Sequence, residues 1–382
     1  MTIEGAAYDV AILGGGPAGS AAALSLVQVR PELRVVLVEP SAFDDWRIGE
    51  TLAPGGRQIL EGLGCWERVR KAGAVESHGT IASWGSDEPY ENDFVFSARG
   101  SGWHLDRTGF DAALIGCVEA AGVELWRGAR FAAAARERDG AWRLIIADRG
   151  ERHAIRAAVV IDATGRAASF ASRQGAERLV DDQLTGVAVL CRFDGDDGVR
   201  DARTLVEAQR DGWWYSAAVP AGRIVIAWMS DADLVRRDGL KDPQRWLHGL
   251  GAAPLTRARL DRCTPDWPVR IWSARSERLR DVCGDQWIAI GDAASAFDPL
   301  SSAGVIKALY SGKLGAFAVL DLLRGVSTGF ERYRRYVERE YAEYRTTRAR
   351  FYGQEGRWPD SAFWSRRTER HSKTLVEAAA ST

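Results

Sequence analysis

Residues Tyr8 to Gly19 read YDVAILGGGPAG, and this stretch decides the fold. The short apolar run Tyr8–Leu13, stopped by three glycines, predicts a buried parallel strand. The Ala/Leu-rich segment from Pro17 to Val27 predicts a helix, and RVVLVE (Arg34–Glu39) a second strand. Together they form a β-α-β unit. A GxGxxG pattern between strand and helix is the context in which it signals a dinucleotide. Gly14 permits the tight turn, Gly16 lets the backbone approach a pyrophosphate, and Gly19 lets helix and strand pack closely. Ala18 belongs to the same turn. The helix N-terminus offers free N–H groups and partial positive charge to phosphate. Glu39, 20 residues past Gly19, stands where a carboxylate accepts ribose hydroxyls.

Farther along, Trp287–Ile290 predicts a last buried strand closed by Gly291-Asp292-Ala293-Ala294. A carboxylate there would bond the ribityl or phosphate-linked hydroxyls of a long dinucleotide; the alternative is a helix N-cap. One glycine turn fits NAD or FAD, and the second strand–Gly–Asp–helix element favours FAD. Asp162-Ala-Thr-Gly165 closes a strand after a three-stranded meander over 131–157, matching the element order of FAD folds. Arg107 begins a predicted helix running to Ala121 and could fork onto phosphate. The loop Arg47-Ile-Gly-Glu-Thr51, with Pro54-Gly-Gly56, would run near the isoalloxazine ring.

The chain of 382 residues has 46% hydrophobic and 27% charged residues, enough for a sizeable core and about two lobes. A net charge of −1 argues against a nucleic-acid footprint. No signal peptide or membrane span is read, and five scattered cysteines suit a reduced, cytoplasmic protein. No metal-ligand spacing stands out. Residues 59–70 predict one amphipathic helix, and 78–103 predict strands leaving the nucleotide unit. Residues 185–231 predict an antiparallel sheet, 241–262 helical segments, and 304–352 helices with Arg, Tyr and Glu outward. The expected fold is α/β (mixed α+β). A Rossmann-type FAD-binding domain of the glutathione-reductase kind (1–78, 104–180, 270–330) would carry an inserted antiparallel-sheet substrate domain (79–103, 181–269) and a C-terminal helical segment (331–382).

On these residues the chain resembles the flavin monooxygenase superfamily of para-hydroxybenzoate hydroxylase and the tryptophan halogenases, the halogenase-like branch above all. Arg47–Thr51 resembles that branch's loop after strand two, and Asp298-Pro-Leu-Ser-Ser-Ala-Gly304 its segment at the flavin ring. The resemblance assigns Gly14, Gly16, Ala18, Gly19, Glu39, Arg47, Arg107, Asp292 and Gly304 to FAD. Three departures point away from halogenation. No lysine lies in 72–90, where halogenases place one; Ser301 stands at their glutamate; and their W-x-W-x-I-P becomes Trp213-Trp-Tyr-Ser-Ala-Ala-Val-Pro220. Gly102–Arg107, the 291–304 segment and RWPDSAFW (357–364) are similar to flavoproteins that mature tryptophylquinone cofactors.

The resemblance implies hydroxylation of an electron-rich aromatic ring through a flavin C4a-hydroperoxide, using O2. The substrate would be a small molecule or a peptidyl tryptophan of a partner. NAD(P)H, or reduced flavin from a separate reductase, would supply electrons. Glu50 and His104 are candidate acid–base or orienting groups, a satisfied structural histidine being the favoured alternative for His104. Trp214, with Trp213, Tyr215 and Trp228, is a candidate for the aromatic pocket wall. A halogenase or natural-product tailoring enzyme, and a non-catalytic flavoprotein docking a partner through Arg/Tyr-rich C-terminal helices, stand as alternatives.

Overall fold

The computed structural model describes residues 6–94, 99–194 and 201–368. Residues 95–98 of the expected strand region and the small-residue tail Ala378–Thr382 lie outside the described residues.

The opening unit forms as the pattern dictates. Strand Ala7–Leu13, helix Pro17–Val29 and strand Val35–Glu39 follow one another. The first strand lies between Val35–Glu39 and Glu151–Asp162, parallel to both. Glu124–Arg127 extends the sheet beyond Val35–Glu39, and Trp287–Ala289 adds on the far side of Glu151–Asp162. The apolar run that marked the first strand is buried on both faces, with Val10, Ala11 and Ile12 wholly inaccessible. The meander Arg130–Arg136, Trp142–Asp148 and Glu151–Asp162 pairs antiparallel. Its last member runs without interruption into the parallel sheet, so meander strand and returning strand are a single 12-residue element.

A second, seven-stranded sheet is ordered Cys263–Ser273, Leu184–Phe193, Arg223–Asp231, Gly212–Val219, Thr204–Gln209, Gly79–Ser83, Tyr90–Asp93. All its pairs are antiparallel except Thr204–Gln209 with Gly79–Ser83. Alternation gives this sheet two different faces. One carries Trp213, Tyr215, Val225, Ala227 and Met229, packed with Trp84, Tyr352, Phe363 and Trp364. The other carries Trp214, Ile224, Ile226 and Trp228, packed with Trp246, Leu250 and Leu260 of the helical segments after it.

Three expectations need correction. The single helix over 59–70 is two, Gly56–Gly62 and Trp66–Lys71; Gly64, at φ +72°, turns the chain between them. The edge strand Cys263–Ser273 was not anticipated, because Pro265 and Pro268 argue against a strand and an edge position is what tolerates them. Four of the five tyrosines of helix Thr328–Gly353 point inward: Tyr333, Tyr341, Tyr344 and Tyr352 are buried, and Tyr336 is half-buried. Tyr352 donates to Asp298 at 2.7 Å, and Arg348 reaches the same carboxylate at 3.1 Å. The long helix is thereby tied to the loop at 298–304. Arg367 closes the C-terminal packing with a buried ion pair to Asp231, 2.7 Å.

Candidate FAD site

A cavity of about 760 Å³ runs from the end of strand Val35–Glu39, past the glycine turn, to the second sheet. Its lining includes Gly14, Gly16, Ala18, Glu39, Arg47, Glu50, Arg107, Asp292 and Gly304. Gly19 is not on its surface. It sits behind the turn, where a Cβ would lie 1.9 Å from the Gly14 carbonyl oxygen, so its contribution is helix-to-turn packing rather than ligand contact.

The turn has the features a pyrophosphate needs. Helix Pro17–Val29 has no side-chain cap on its free N–H groups, and nothing lies within 4 Å of where a Gly16 Cβ would be. Helix Gly304–Leu323 also begins at the cavity without a side-chain cap, and a Cβ at Gly304 would again meet open space. Two helix N-termini therefore face one cavity, a field suited to phosphate. Arg130, Arg166 and Arg173 line the same space and add positive charge. Arg166 is fixed by donating to the Arg275 and Phe297 carbonyls at 2.6 and 3.1 Å. These donors and glycines fit an extended dinucleotide such as FAD.

Glu39 is buried at the strand end and accepts from the backbone N–H of Gly15 (2.7 Å) and of Ser41 (2.9 Å). It braces the glycine turn while still lining the cavity. Arg107 differs from expectation. Its fork grips Asp111, Nε to Oδ1 at 3.1 Å and Nη2 to Oδ2 at 2.9 Å, and Nη1 donates to the Ile48 carbonyl at 2.9 Å. Arg47 reaches the same Asp111 at 3.1 Å. These two arginines therefore hold the 47–50 loop against helix Arg107–Ala120. Asp111, wholly buried, was missed. Its signal was present as a carboxylate four residues after Arg107 on a helix. Replacing it by Ala would leave two guanidinium groups without their shared partner. We expect a loss of about 3–5 kcal/mol, read as a lowered melting temperature with weakened FAD retention. Unchanged values would refute the bracing role.

Asp292 borders the cavity. Burial raises its pKa, but the charges of Lys307 and Arg166 lower it by more, so it stays below the ordinary carboxylate range. Lys307 Nζ donates to Asp292 at 2.8 Å. Asp162 serves differently: its two oxygens accept from the backbone N–H groups of Thr164, Phe170 and Ala171 at 2.8–3.0 Å, capping the following helix.

Toward the second sheet the lining becomes aromatic and aliphatic: Tyr215, Val225, Ala227, Met229, Trp272 and Phe297. Glu50 stands where this wall meets the 47–51 loop. It is buried, its Oε1 has no hydrogen-bond partner among the described residues, and burial pushes its carboxyl up to about 7. The neighbouring Thr51 hydroxyl lies 2.9 Å from the Tyr215 hydroxyl. Burial and the Glu50 charge push the Tyr215 phenol far above its ordinary value, so it remains protonated at neutral pH.

Two catalytic candidates are not brought here. His104 is fully buried on strand Gly102–His104, outside the cavity lining, with Nε2 3.0 Å from the Thr204 hydroxyl. Burial pushes its pKa down to about 4, which makes it a neutral structural histidine at neutral pH. Trp214 points to the opposite face of the second sheet, because its neighbour Tyr215 takes the cavity face. Trp228 is displaced to that far face for the same reason, while Trp213 is buried in the near-side core.

The family described as FAD dependent oxidoreductase matches residues 9–223. The chain is 29% identical over 366 residues to the putative FAD-dependent oxidoreductase LodB of Marinomonas mediterranea, covering 94% of this chain and 96% of that one. It is 26% identical over 394 residues to the tryptophan 2-halogenase of Chondromyces crocatus, covering 96% and 72%. Among solved structures, the myxobacterial chondrochloren halogenase CndH superposes with a TM-score of 0.85 at 24% identity, covering 98% of this chain and 90% of that one. The peptidyl tryptophan dihydroxylase QhpG superposes at 0.75 and 23% identity, covering 95% and 79%.

Proposed function

This chain belongs to the FAD dependent oxidoreductase family, and we propose that it is a monooxygenase that hydroxylates an electron-rich aromatic ring, indole-like and including peptidyl tryptophan. The observation that carries the reading is the single cavity joining the dinucleotide turn to an aromatic and aliphatic wall, with the buried carboxyl of Glu50 at the junction. No lysine lines that cavity among the described residues. Lys307, beside the lining residue Ala308, is committed to Asp292 and to the Ser295 carbonyl. Halogen transfer by a lysine amine therefore has no candidate among the described residues of the lining. The names of LodB, CndH and QhpG describe those proteins; they support a flavin enzyme of this branch and leave the substrate to experiment.

FAD, when bound, would supply electron transfer and oxygen activation. This chain's residues would do the rest. The two helix N-termini and the arginines hold the phosphates, and Glu39 and Asp292 receive sugar hydroxyls. Tyr215, Met229 and Trp272 would place the aromatic ring and keep water out. Glu50, with a pKa near neutrality, would take the proton released as the ring rearomatises.

Mass spectrometry of indole and tryptophan-containing peptides, after turnover with FAD, a reductant, ¹⁸O2 and bromide, tests the reading. We expect one ¹⁸O atom in the product and no bromine. Brominated product would establish the halogenase reading instead, and flavin oxidation with no product from any aromatic would sink both.

A further inference from the structure

The far face of the second sheet carries its own pocket, of about 650 Å³, whose lining includes Trp214, Trp228, Arg237, Arg245, His248 and Gly249. We propose that it is a second ligand site, for a small planar aromatic carboxylate, separate from the flavin cavity.

Three features specify that ligand. First, the inner surface is aromatic. Trp214 and Trp228 lie 5.0 Å apart, centroid to centroid, and Trp246 closes edge-on to Trp214 at 5.1 Å. Such faces favour a flat ring. Second, the Trp214 indole N–H is buried and has no acceptor among the described residues. A desolvated donor without a partner is costly, and an acceptor brought by a ligand would relieve it once a shift of the Trp214 ring uncovers the N–H. Its ring neighbour in the same cluster, Trp246 on helix Pro243–Gly249, does find an acceptor, the Val187 carbonyl at 3.1 Å. Third, the rim holds one guanidinium that no carboxylate offsets among the described residues. Arg237 is occupied by Asp238 and Asp211, at 2.7 and 2.9 Å. Arg245 lines the pocket, is exposed, and makes no ion pair among the described residues, with the exposed His248 beside it. A guanidinium free to fork selects a carboxylate over a neutral group.

The location excludes two roles for the occupant. Trp214 and Trp228 face this pocket while their strand neighbours Tyr215, Ala227 and Met229 face the flavin cavity. The sheet backbone thus stands between the two spaces, so the occupant is neither the substrate being oxidised nor a hydride donor. It does press on the same two strands that form the substrate wall, which Trp214 and Trp228 join in register.

Gly249 supplies a clean test. A Cβ there would point at Trp214 with only an ordinary 3.5 Å contact, so Gly249→Leu should fill the pocket without forcing the backbone. Calorimetric titration of the FAD-loaded protein would use 2-naphthoate, with neutral 2-naphthylmethanol as comparison. We expect saturable binding of 2-naphthoate, its loss in Gly249→Leu, and about five- to tenfold weaker binding in Arg245→Gln and for the neutral alcohol. If the melting temperature shows that Gly249→Leu is unfolded, the exposed Arg245→Gln decides alone. Affinity unchanged by Arg245→Gln, or no saturable binding up to about 1 mM, would overturn the proposal.

Discussion

Gly14→Ala will yield a protein that no longer retains FAD. Gly14 sits at φ +107°, a conformation that side-chain-bearing residues rarely adopt, and a Cβ there would lie 2.2 Å from the Ala163 carbonyl oxygen. Neither partner can step aside cheaply. Gly14 N–H donates to the Val38 carbonyl at 2.8 Å, and Ala163 N–H to the Leu13 carbonyl at 2.8 Å, so both are pinned by the sheet. Backbone strain of this kind costs about 1–3 kcal/mol, and the clash adds to it by displacing the turn that presents the helix N-terminus. A total near 3 kcal/mol corresponds to about a hundredfold weaker FAD binding. Absorbance of the purified protein and a fluorescence titration with FAD measure it; full flavin content with unchanged affinity would remove the turn from the site.

Glu50→Gln will lower turnover by about 10²–10⁴-fold and alter two pH profiles at once. Glu50 must be ionised to accept a proton, and its pKa is near 7. Aromatic hydroxylation by the native protein should therefore rise with pH through about 7, and the variant should lose that inflection. The stability effect has the opposite sense. A carboxyl raised above its unfolded value of 4.5 keeps its proton in the folded state after the unfolded chain has released it. Stability therefore falls as pH rises from about 4.5 to about 7 and is level beyond. The shift corresponds to about 3 kcal/mol. Glu50→Gln removes this loss, so denaturation midpoints should become flatter across that window as activity disappears. An active variant with an unaltered rate profile would end the proton-accepting role; a profile lost without the change in stability slope would mean that Glu50 is not the group titrating near 7.

The related proteins share this chain's architecture and by their names include halogenases and a peptidyl tryptophan dihydroxylase. In this chain the cavity wall toward the second sheet presents Tyr215, Val225, Ala227, Met229 and Trp272. The C-terminal helix contributes less surface than its composition suggested. With Tyr333, Tyr341, Tyr344 and Tyr352 turned into the core, it anchors Asp298 and the 298–304 loop, while Tyr310, Phe317 and Phe351 of the two C-terminal helices stay exposed.

The sequence by itself determined what depends on local backbone chemistry. The glycines that demand positive φ or close approach, the apolar run before them and the acid at the end of the second strand specify a β-α-β unit and its glycine turn. Those needs are met within a few residues, so Gly14, Gly16, Glu39 and the Gly291-Asp292 element were legible in order. Tertiary structure alone decided which way side chains face and which distant charges meet. A period-two strand says that Trp214 and Tyr215 point oppositely but not which one meets the cavity; the pairing of Gly212–Val219 with its neighbours and the packing of Tyr352 and Trp364 settled it for Tyr215. In the same way, Arg107 read as a phosphate ligand because its fork was visible, whereas Asp111, which fills that fork, and Arg47, which shares it, converge only once loop and helix are packed together.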